Sequence, residues 1–118
     1  MLTKDIAIID DELDLVTLFK EALQMMDGLN VCTFTDPIEA LNHIQKWPER
    51  YGLVISDFKM PKMNGQELCT KLMKINPELR FILISAYDDI QCDKSTFAFL
   101  HKPIPIAHLL KIVKENLD

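Results

Sequence analysis

Short apolar runs, each stopped by polar residues and each followed by apolar residues at three- and four-residue steps, succeed one another five times along this chain. Strands joined through helices must cross over and lie parallel, so the alternation predicts an α/β fold with right-handed crossovers and helices on both faces. Ile6–Ile9 stops at Asp10, Asp11 and Glu12, and Leu15, Val16, Phe19, Ala22, Leu23 and Met26 then form one helical stripe that ends before Gly28. Residues 30–34 are the second strand. Asp36-Pro37 is a helix start, with the carboxylate able to cap free amides; Ile38, Leu41, Ile44 and Trp47 are its expected buried face, and Pro48 closes it.

The third run, Leu53–Ser56, is bounded by Gly52 and delivers one carboxylate, Asp57, at its carboxyl end. A loop marked by Pro61 and Gly65 leads into a helix over residues 66–75, with Leu68, Leu72 and Ile75 on one side. Asn76-Pro77 stops that helix, and Phe81–Ile84 is a fourth strand ending in Ser85-Ala86. Residues 87–96 are too polar to bury a helical face; a short helix or an irregular connection is expected there. Residues 97–100 are the fifth strand, followed by His101-Lys102-Pro103 and a last helix carrying Ile106, Leu109, Leu110, Val113 and Leu117. Five strands in a chain of this length fit the doubly wound order 2-1-3-4-5.

In that order the first and third strands are neighbours, so Asp10, Asp11 and Asp57 converge at one end of the sheet. Three carboxylates in one cleft repel, and a proton or a cation must offset the repulsion. Oxygen ligands with room for water suit Mg²⁺, and no His or Cys stands at ligand spacing. Ser85 and Lys102 end the fourth and fifth strands on the same rim. A hydroxyl, an ammonium and a divalent cation around one carboxylate are what phosphoryl transfer to Asp57 requires.

Charge excludes other functions. Lys and Arg total 13 against 18 Asp and Glu, a net charge of −5, so no overall positive field draws the chain to nucleic acid. No apolar run approaches the roughly 20 residues that span a bilayer, and residues 1–5 lack a signal-peptide pattern, so a cytoplasmic location is expected. Cys32, Cys69 and Cys92 are widely spaced and read as reduced packing residues; Met25, Met26, Met60, Met63 and Met73 read as filler.

Ile8-Ile9-Asp10-Asp11-Glu12, the stretch from Asp57 to Gly65, Ser85-Ala86 and Lys102-Pro103, each at the end of an expected strand, together resemble the receiver domain of two-component response regulators over essentially residues 1–118. The resemblance implies a flavodoxin-like (βα)5 fold. It implies that Asp57 is the phospho-acceptor, that a histidine kinase or phosphotransfer protein is the donor, and that an output domain or downstream protein receives the signal. Asp11, Asp57 and the backbone carbonyl of Lys59 are implied to bind Mg²⁺ directly, with Asp10 assisting through water. Ser85 matches the switch hydroxyl, Lys102 the paired cation and Phe99 the switch aromatic; Lys59 and Tyr87 match positions that tune loss of the phosphoryl group. Homodimer formation on activation is a further expectation.

Departures from the family pattern set the alternatives. Ser85 and Lys102 are closer in sequence than is usual by more than a helical turn, so the fourth helix is expected to be shortened and the usual output face altered. That erosion favours a constitutive interaction module working without phosphate, whereas the intact acidic set favours the phosphorylated switch. A Mg²⁺-dependent phosphohydrolase shares the chemistry, but Lys59 stands where such enzymes carry a second aspartate. His43, His101 and His108 are assigned no phosphoryl role.

Overall fold

The computed structural model describes residues 5–26, 28–86 and 98–117. Its elements are β1 (Asp5–Ile9), α1 (Leu13–Gln24), β2 (Val31–Phe34), α2 (Pro37–Lys46), β3 (Tyr51–Asp57), α3 (Gly65–Ile75), β4 (Arg80–Ser85), β5 (Ala98–His101) and α4 (Ile106–Leu117). All strand pairs are parallel and the order is β2-β1-β3-β4-β5, as the alternation predicts. The expectations for residues 87–97, which include the shortened helix, Tyr87, Cys92 and Phe97, lie outside the described residues, as does that for the side chain of Leu117.

Strand periodicity divides the core into two layers. Ala7, Ile9, Val54, Phe81 and Leu83 face Ala40, Ile44, Leu68 and Leu72 of α2 and α3. Their neighbours Ile6, Ile8, Leu53, Ile55, Ile82 and Ile84 face Val16, Phe19 and Leu23 of α1 and Leu109 and Val113 of α4. Burial on both faces explains why these strands read as unbroken apolar runs rather than alternating ones.

Three local differences from the sequence reading have physical causes. β3 begins at Tyr51, two residues early, because the ring is fully buried and its hydroxyl lies 2.8 Å from His43 Nε2. His43 also packs against Phe34, which gives it a structural role. On α2 the buried line is Pro37, Ala40 and Ile44, so Ile38, one residue off that line, is exposed. Trp47 is the C-cap and leaves the helical path with φ −129, so it is 51% exposed instead of continuing the apolar face. Asn64 begins α3 by accepting from Glu67 N at 2.8 Å, a cap that fixes where the loop after Asp57 ends.

Candidate functional site

The carboxyl ends of β1, β3, β4 and β5 meet at one rim, around a cavity of about 510 Å³. Asp11, Glu12 and Asp57 form its acidic side, Lys59, Met60 and Pro61 one wall, and Ser85, Ala86 and Lys102 the other. Asp10 and Asp57 are buried at 3% and 7% exposure, while Asp11 is exposed. Carboxylate oxygens of Asp10, Asp11 and Asp57 all lie within 4.8 Å of one another.

Lys102 stands among these acids. Its Nζ is 3.2 Å from Asp57 Oδ1, 3.5 Å from Asp10 Oδ2 and 3.8 Å from Glu12 Oε1. A backbone bond places it there, Lys102 N donating to Ser85 O at 2.8 Å. Phe58 N likewise donates to Ile84 O at 2.8 Å, tying the exit of β3 to β4. Asp10 Oδ1 accepts from Glu12 N at 3.0 Å, which orients the carboxylate over the start of α1.

Burial sets the protonation of the site. It pushes Asp10 up to about 6, aided by the Asp57 charge and opposed by the Glu12 amide and by Lys102. Burial raises Asp57 as well, against the pull of Lys102. For Lys102 burial acts to lower the pKa, but Asp10 and Asp57 outweigh it and the ammonium is held more firmly than usual. Because Asp10 is raised, the folded state binds more protons than the unfolded one between about pH 4 and 6. Asp10 therefore destabilises the fold at neutral pH, and that penalty lifts as pH falls through 6. Without divalent cation, Asp10→Asn is expected to raise the thermal midpoint at pH 7.5, with the gain shrinking toward pH 5; a gain independent of pH would contradict this origin.

Of the residues singled out by sequence, Asp10, Asp11, Asp57, Lys59, Ser85 and Lys102 are brought together at this rim. Phe99 is not on the cavity wall; it is half-buried beside Leu83, its partner in the β4–β5 register. Glu12, Met60 and Pro61 were given no role in the site by sequence. Glu12 joins the ion set of Lys102, and its place directly after two strand-end acids was the available signal. Met60 and Pro61, read as filler and turn, line the cavity. The donor set fits Mg²⁺, since hard carboxylate oxygens converge and two of them are buried with their charge incompletely offset.

Comparisons with known proteins agree over nearly the whole chain. Residues 6–114 match the family described as response regulator receiver domain. Sporulation initiation phosphotransferase F of Bacillus subtilis is 31% identical over 122 residues, covering 99% of this chain and 96% of its own length. Sensor kinase CckA of Brucella abortus is 29% identical across 96% of this chain, and the C4-dicarboxylate transport transcriptional regulatory protein DctD of Rhizobium meliloti is 30% identical across 88%. The chain spans only 12% and 23% of those two longer relatives. Among solved structures, a response regulator receiver domain protein from Clostridium thermocellum superposes with a TM-score of 0.87 at 27% identity, covering 97% of this chain and 94% of that one. The receiver domain of hybrid histidine kinase CckA gives 0.82 at 30% identity, covering 97% and 99%. Among the described residues no helix is long and apolar enough to cross a membrane.

Proposed function

The chain belongs to the response regulator receiver domain family, and from that premise we propose that residues 1–118 form one receiver domain whose interaction surface is switched by phosphorylation of Asp57. The observation that carries this reading is the pairing of two buried carboxylates, Asp10 and Asp57, with the ammonium of Lys102.

In the proposed step a carboxylate oxygen of Asp57 attacks the phosphorus of a phosphohistidine in line. The N–P bond breaks, an acyl phosphate forms and the departing imidazole nitrogen is protonated. Lys102 first holds the Asp57 carboxylate and then balances charge on the phosphoryl oxygens, to which the Ser85 hydroxyl donates. Asp11, Asp57 and the Lys59 carbonyl, with Asp10 through water, would hold Mg²⁺, which supplies neutralisation of the charge on the phosphoryl group. Phe99 couples this pocket to the surface along β5. A histidine kinase or phosphotransfer protein donates, in the cytoplasm, and an output domain, a downstream protein or a second copy receives the signal. The domain is a signalling switch; self-phosphorylation from a small donor and loss of the phosphoryl group to water are its only turnover.

Phosphoramidate or acetyl phosphate with Mg²⁺ should add one phosphoryl group, read by intact mass. Unchanged mass where a control receiver reacts would sink the switch and leave the constitutive module. Lys102→Ala is expected to keep the fold, because no part of the hydrophobic core rests on the ammonium, yet to lose the phosphate-induced amide shifts. Identical shifts in variant and wild type would remove Lys102 from the coupling.

A further inference from the structure

We propose that the ion pair between Lys62 and Asp36 is a strap that positions the cavity wall, so that breaking it weakens divalent-cation binding and slows phosphoryl transfer. The proposal rests on the reading of Asp57 as phospho-acceptor for its second effect only.

The wall made by Lys59, Met60 and Pro61 belongs to the loop between β3 and α3. That loop is fixed at its ends by Phe58 N on Ile84 O and by Gly65 N on Phe58 O at 2.7 Å, and from below by the buried Met60 and Met63. Its outer turn passes through Lys62, which has φ 73 and is the only non-glycine among the described residues in the left-handed region. Glycine would adopt that turn without strain. What lysine adds is reach: its Nζ lies 3.1 Å from Asp36 Oδ2.

Asp36 is a firm anchor. Its other oxygen, Oδ1, accepts from Ile38 N at 2.9 Å and caps α2, whose Pro37, Ala40 and Ile44 are buried. Bonding to Lys62, with the Ile38 amide second, holds the Asp36 carboxyl below its usual range. In the order β2-β1-β3, Asp36 follows β2 and Lys62 follows β3, so the strap joins the two junctions that flank the end of β1. Asp10 and Asp11 emerge from that end. A wall held on one flank by the core and on the other by this pair keeps the Lys59 backbone in one place relative to those acids.

Signs separate a strap from a plain charge effect. Lys62→Met removes a positive charge near the acids, so through the field alone it would tighten Mg²⁺ binding; Asp36→Asn would weaken it through the field, while leaving a competent helix cap. A strap requires both to weaken. Mg²⁺ affinity of the purified protein, measured by calorimetry and by amide shifts, is expected to fall about two- to fivefold in each single variant, the range open to one exposed pair. The double variant should be no weaker than either single, and Lys62→Arg should stay near wild type. Opposite signs, additive losses, unchanged affinity, or no Mg²⁺ binding by the wild type overturn the proposal. Phosphoramidate labelling, followed by intact mass on the same proteins, should slow in parallel. A wild type that binds Mg²⁺ but gains no mass defeats the Asp57 reading, while the affinities still decide the strap.

Discussion

Asp57→Asn is expected to hold the protein at its unmodified mass in phosphoramidate and Mg²⁺, while raising its thermal midpoint in the absence of cation. An amide oxygen at this position has nearly the shape of the carboxylate but is no nucleophile toward phosphorus. The stability gain follows from burial, which raises the Asp57 carboxyl and makes its ionised form unfavourable at neutral pH. Lys102 loses a partner at 3.2 Å but keeps Asp10 and Glu12, so the loss of repulsion wins. A rise of a few degrees corresponds to about 1 kcal/mol in a domain of this size. Mass gain equal to wild type would move the acceptor elsewhere, and a lowered midpoint would mean that the Lys102 contact outweighs burial.

Gly65→Ala should be the most damaging single methyl in the site. A Cβ there would run into the backbone carbonyl oxygen of Asp57, with the carbonyl carbon at 3.1 Å and Leu83 Cδ2 at 3.0 Å. Leu83 can turn aside, but the Asp57 carbonyl sits in a strand paired to β1 and β4 and cannot. Gly65 is also held by its own N–H on Phe58 O, so relief must come from shifting the start of α3. The expected loss is about 3 kcal/mol, at the upper end for forcing an added methyl into a packed site. Urea unfolding measures it, and Mg²⁺ affinity should fall in parallel because the loop carrying Lys59 is displaced. A loss below about 1 kcal/mol with unchanged affinity would show that α3 slides without resistance.

The strand order and the acidic rim were legible because doubly buried strands leave apolar runs, and because an apolar run broken by an acid marks where a strand meets solvent. Tyr51 was harder, since Gly52 looks like a boundary; burial of the ring, its contact with His43 across the α2–β3 connection and its pairing with Asp5 carry the strand through it. On α2 two stripes compete, 38/41/44 and 37/40/44, and periodicity cannot separate lines one residue apart. Packing against the sheet chose the second. Lys62 and Asp36 have no sequence signature as partners, because they belong to different loops and meet only after β1 has been threaded between their strands.

The sheet order has a mechanical side. β1, β3 and β4, which lead to Asp10, Asp57 and Ser85, are each laddered to two neighbours, whereas β5, which ends beside Lys102, has one among the described residues. Displacing an interior strand breaks two ladders; displacing β5 breaks one ladder, across four residues. On the proposed reading, a new charge at Asp57 therefore pushes against carboxylates held on a fixed abutment and, among the strands that carry the pocket, finds in β5 the compliant arm, so the expected displacement runs along that outer edge.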